Sequence, residues 1–166
     1  MSLKLISIFL LFCLYLSAVR ADDLTEEQKK YLNSYLAKKG SAFNIPRNSV
    51  KAQAVGNDLF AVIYTDENSP GNYYSQVLTI FSRKKSGNYT ALISAVVGGK
   101  NNRAITDIVD IVNNHKEGVF INVKQRLYKE QDSSCCPSIC GRTTFVFHKN
   151  TLIETHPKIF IKQCDE

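Results

Sequence analysis

The chain has 166 residues, with 21 Lys and Arg against 15 Asp and Glu, five Cys and no Trp. One domain fits this length. The basic surplus of +6 is small and evenly spread. That favours encounter with acidic proteins, wall polymers or lipid head groups and argues against nucleic acid.

The first segment reads as an export signal. Lys4 supplies a positive charge, Leu5 to Leu16 is almost unbroken apolar sequence, and Val19 and Ala21 are the modest residues a signal peptidase inspects. A membrane-spanning helix needs about 20 apolar residues, more than this run holds. A lipoprotein reading of Cys13 meets Phe12 before it, where a small residue is wanted. The expectation is a signal over 1–21 and a single secreted or periplasmic domain over 22–166, with no stable membrane insertion after cleavage.

Thr25-Glu26-Glu27-Gln28 is a capping box. Leu24, Gln28, Tyr31, Leu32, Tyr35 and Leu36 follow on one face of a helix. Its acids are at the start, its lysines are at the end, and Gly40 stands where it should stop.

After Pro46 the pattern becomes β-rich. Strands are expected at 51–55, 59–65, 73–82, 89–97, 105–113, 119–128, 143–149, 152–156 and 158–164, separated by tight-turn residues such as Gly56-Asn57-Asp58 and Lys149-Asn150. The stretch at 105–113 also carries helical spacing, but the hairpin that follows it favours a strand. Short connections imply sequential antiparallel pairing. Val77 and Phe81 alternate with Leu78 and Ile80, so the sheet must be covered on both faces.

Four cysteines remain beyond the signal: Cys135, Cys136, Cys140 and Cys164. In an exported chain they read as two disulfides. Three connectivities are open, and the two without a bridge between neighbours tie the 135–140 loop to the carboxyl terminus. The expected fold is therefore α+β, an amino-terminal helix packed on a curved antiparallel β-meander and stapled by disulfides.

In a meander, loops alternate between the two ends of the sheet. That gathers loops 66–72, 98–104 and 129–142 at one end, where binding sites are commonly mounted. Tyr73, Lys100 and Arg103 stand there as candidate partner-binding residues. Catalytic patterns are weak. Cys136 and Cys140 are separated by three residues rather than the two of thioredoxin-like motifs. With His148 they form a conceivable soft metal or redox set. No glycine-flanked serine turn accompanies the histidines.

Tyr128, Asp132, Cys135-Cys136-Pro137-Ser138, Thr143-Thr144-Phe145-Val146-Phe147 and Leu152 form a pattern that resembles a segment of exported bacterial proteins similar to the mycobacterial LppP/LprE lipoproteins. The lipid-attachment cysteine is missing here, and Cys140 and Cys164 are added. The resemblance implies an exported bacterial origin and a β-meander.

The functional expectation is a non-enzymatic binding protein, an inhibitor or immunity protein in its most concrete form. It would engage a protein in the envelope or outside the cell through the three loops and call for no cofactor. The alternative is a small envelope hydrolase, or a thiol- or metal-dependent redox protein using Cys136, Cys140 and His148.

Overall fold

A computed structural model describes residues 24–40, 49–69, 73–133 and 136–163. One helix, α1 (Glu26–Gly40), precedes eight strands: β1 (Lys51–Val55), β2 (Leu59–Ser69), β3 (Tyr73–Arg83), β4 (Tyr89–Gly99), β5 (Arg103–Asn114), β6 (Gly118–Leu127), β7 (Ile139–His148) and β8 (Thr151–Gln163). The strands neighbour one another in chain order, and every pairing is antiparallel.

Two parts of the expected fold need correction. The domain is mainly β rather than α+β, because among the described residues one helix of 15 residues stands against eight strands. The disulfide staple to the last strand is no part of the described fold. Cys136 and Cys140 each take part in a disulfide. The other two cysteines of the expected staple, Cys135 and Cys164, lie outside the described residues. The segments expected as separate strands at 152–156 and 158–164 form one strand, β8, which runs through Pro157. A sheet-edge strand tolerates proline, because its outward N–H needs no ladder partner.

The helix starts as its capping box dictates. The Thr25 backbone N–H donates to Gln28 Oε1 at 2.8 Å, and the Gln28 N–H donates to Thr25 Oγ1 at 3.3 Å. Gln28 is fully buried, and its Nε2 reaches on to the Gly56 carbonyl at 3.1 Å, tying α1 to the β1–β2 turn. Arg83, at the end of β3, grips the first turn of α1 through Glu27 at 2.9 Å.

The sheet is almost severed in the middle. Between β4 and β5 the ladder consists of the single pair Gly99↔Arg103. The halves β1–β4 and β5–β8 consequently fold against one another, β1 against β5 and β4 against β8. Their shared core contains Ala61, Ile63, Leu78, Ile80 and Val97 from the first half and Ile105, Ile108, Ile121, Val123 and Phe145 from the second. The opposite face of β1–β4 presents Phe60, Val62, Phe81 and Tyr89 to Leu32, Tyr31 and Tyr35 of α1. Phe81 meets Tyr31 and Tyr35 edge-on, with centroids 5.6 and 4.9 Å apart. The alternation along β3 has its cause here, since one face packs on the helix and the other on the second half-sheet.

The break between β4 and β5 leaves the backbone of Ile105 without a ladder on that side. The side chain of Gln76, in β3, takes the place of a strand. Its Oε1 accepts the Ile105 N–H at 2.6 Å, and its Nε2 donates to the Ile105 carbonyl at 2.8 Å. Both residues are buried, so these partners are needed. Gly98 lies directly beneath, and a Cβ on it would meet Gln76 Oε1 at 2.7 Å.

Candidate functional site

The meander sends the connections after β2, β4 and β6 to one end of the sheet. Those after β1, β3, β5 and β7 go to the other, and all of these are short turns. The β7–β8 turn, Lys149-Asn150, has both residues at positive φ (48° and 63°), as a two-residue hairpin demands. The first end is therefore the loop end, although its strands run further than the sequence suggests. β2 continues to Ser69, and β4 and β5 leave only residues 100–102 between them.

Three segments of this end touch. The Lys100 N–H donates to the Tyr74 carbonyl at 3.2 Å, joining the β4–β5 turn to the start of β3. The Tyr74 and Tyr128 hydroxyls lie 3.5 Å apart, joining β3 to the segment after β6. Burial, with the Tyr128 hydroxyl beside it, pushes the Tyr74 phenol up to about 12. Gly99, at φ 155°, allows this approach, because a Cβ there would meet the Tyr74 carbonyl oxygen at 2.7 Å.

The longest connection, 128–138, is organised by one carboxylate. Asp132 Oδ2 accepts the N–H groups of Lys129 and Ser138, each at 2.8 Å. These bonds, led by that from Lys129, hold its carboxyl below the usual range. The loop is thus closed on itself at a half-buried aspartate, with Cys136 on its surface.

The structure distributes the sequence-derived candidates unevenly. Lys100 occupies the tip of the β4–β5 turn. Tyr73 opens β3, and its side chain lies outside the described residues, as does segment 70–72. Arg103 turns inward. Its side chain is 13% exposed and forms a two-pronged ion pair with Glu154 of β8. Its Nε donates to the Val97 carbonyl at 2.5 Å, its Nη1 to Gln125 Oε1 at 3.2 Å, and its guanidinium stacks 5.4 Å from the Phe145 ring centroid. Thr143 Oγ1 donates a further bond to Glu154 at 2.8 Å. Burial raises the Glu154 carboxyl, but the hydrogen bonds from Arg103 and Thr143 and the charge of Arg103 outweigh it, leaving the group below its ordinary value. The Arg103–Glu154 pair thus ties β5 to β8 within the second half-sheet, and Arg103 reaches the first half through the Val97 carbonyl of β4.

Cys140 and His148 sit at opposite ends of β7. Eight strand residues at about 3.3 Å each separate them by about 26 Å, too far for one metal ion or one redox centre. Among the described residues no group of three His, Cys, Asp or Glu is placed to hold a metal. The Asn72-Tyr73-Tyr74 run marks Tyr74 at the loop end in the sequence, whereas the roles of Tyr128 and Asp132 in building this end were missed. The Asp132-to-Ser138 spacing was visible, but the Tyr74–Tyr128 contact depends on the fold.

No protein-family model, curated protein or solved structure matches the chain.

Proposed function

We propose that this chain is an exported binding protein, secreted or periplasmic, that engages a protein partner in the envelope or outside the cell through its loop end. An inhibitor or immunity protein, blocking an exported toxin or hydrolase, is the specific form of that reading. The observation that supports it is the contact of the start of β3, the β4–β5 turn and the segment after β6, through Tyr74, Lys100 and Tyr128, on a rigid two-layered scaffold. A pre-organised surface loses little conformational freedom on binding, and aromatic residues at its centre are common anchors.

The test is capture of a partner from the native envelope and culture-fluid fractions. Lys100→Glu combined with Glu130→Lys, both at the loop end, should abolish capture. Lys85→Glu combined with Lys149→Glu, at the opposite end, should leave it intact. Equal loss in both variants, or retention in the first, overturns the reading. Export is checked separately: amino-terminal sequencing of the protein from its native source should begin at Asp22, and a chain still carrying Lys4 contradicts it.

A further inference from the structure

The half-sheet β1–β4 carries α1 on its outer face, whereas among the described residues no element covers the outer face of β5–β8. The strand register sorts that bare face into bands. Nearest the short turns, Val112, Phe120, Val146 and Ile153 stand side by side across β5, β6, β7 and β8. Val112 is 52% and Ile153 59% exposed, and Phe120 and Val146 are half-buried. The next band is Asp110, Asn122, Thr144 and Thr155. Asn122 donates to Asp110, Thr144 donates to Asn122 Oδ1, and Thr155 Oγ1 donates to the Thr144 carbonyl at 3.0 Å. Beyond it come Asp107, Lys124 and Arg142, with Arg126 one step further.

We propose that this face docks an amphipathic helix of a partner protein whose apolar stripe is flanked by carboxylates. Four side chains on adjacent strands span about 14 Å, which matches one apolar stripe over two to three helical turns. The neighbouring polar band is bonded within itself through Asn122, Thr144 and Thr155, so a helix beside it strands fewer donors and acceptors. Lys124, Arg126 and Arg142 select acidic flanking residues, and Asp107 at the β5 end places those acids over β6 to β8. A second copy of this chain fits poorly. A copy sets its own Lys124, Arg126 and Arg142 against the same three cations, and four apolar side chains are few beside the ~800 Å² per partner of a stable dimer. This inference does not depend on the loop-end reading, because the residues and the face are different.

The experiment titrates the purified protein with two synthetic helical peptides of about 18 residues sharing one leucine stripe, flanked by Glu in one and by Lys in the other. The Glu-flanked peptide should bind at least about tenfold more tightly. It should shift the amide resonances of Val112, Phe120, Asn122, Lys124, Thr144 and Val146. Lys124→Glu combined with Arg142→Glu should reverse the order of the peptides, and Ile153→Ser should weaken both. Equal affinities that survive charge reversal overturn the proposal, as do shifts confined to the loop end or α1. Tighter binding to phosphatidylglycerol vesicles than to either peptide, lost in the same variants, assigns the face to a lipid surface instead. Mass doubling with concentration that Ile153→Lys abolishes assigns it to self-association and equally overturns the proposal.

Discussion

Removing the Gln76 side chain should destabilise the protein out of proportion to its size. In Gln76→Ala the N–H and C=O of Ile105 both lose their partner, and Ile105 is 5% exposed. A buried polar backbone group left unpaired costs about 1–3 kcal/mol, so the pair of groups predicts about 2–6 kcal/mol, with the middle of that range the expectation. Urea unfolding followed by far-ultraviolet circular dichroism measures it, since the chain has no tryptophan. Gln76→Glu adds a discriminating control. Its carboxylate still accepts the Ile105 N–H but cannot donate to the carbonyl, and its buried charge is penalised. Protonation restores a donor, so the deficit relative to wild type should shrink as the pH falls. Gly98→Ala acts on the same amide from below, so its cost should be less than additive with Gln76→Ala. A Gln76→Ala protein within about 0.5 kcal/mol of wild type would refute the view that this side chain stands in for the missing β4–β5 ladder.

Other expectations follow from the same contacts. Glu154→Gln leaves the Arg103 guanidinium partly buried and uncompensated, and should cost about 1–3 kcal/mol at neutral pH, less than for a fully buried pair because Glu154 is partly solvated. Because the folded Glu154 carboxyl titrates below its ordinary value of 4.5, its contribution is complete above that pH and is lost as the pH falls through the folded value. Glu154→Gln should therefore flatten the acid limb of the stability curve, read from urea midpoints between neutral and acid pH. Asp132→Asn should speed amide exchange at Lys129 and Ser138 while leaving the urea midpoint nearly unchanged, since the carboxylate holds only its own loop. Tyr74 should ionise near 12, and Tyr128→Phe should bring it down, since the Tyr128 hydroxyl adds to the effect of burial; ultraviolet difference titration reads both.

Local signals in the sequence were legible because they depend on neighbours along the chain. The Thr25–Gln28 box, the Lys149-Asn150 turn and the alternation of Val119, Ile121 and Val123 in β6 each follow from a few adjacent residues. The two-faced burial of β3 was legible for the same reason. The balance of the fold was not, because a clear helix signal says nothing about how little of the chain it represents. Arg103 looked like a loop residue since a glycine- and asparagine-rich stretch precedes it. Only the fold brings Glu154, Gln125 and Phe145 around it. The bands on the outer face of β5–β8 depend on register across four strands, and register shifts in β5 between Ile105 and Asp107 and between Ile108 and Asp110 hide the alternation in that strand. Gln76 gave no sign of its role, since a lone polar residue in an apolar strand has no sequence pattern of its own.

The most direct test of the proposed binding role is site-specific photo-crosslinking in the native compartment. A photoreactive residue is placed in turn at Asn102 and Gln131 on the loop end, and at Lys85 and Lys149 on the other. The first two positions should yield one and the same protein adduct, and the last two none. An adduct formed equally from Lys85 or Lys149, or different proteins captured from Asn102 and Gln131, would show that the loop end is not a single recognition surface.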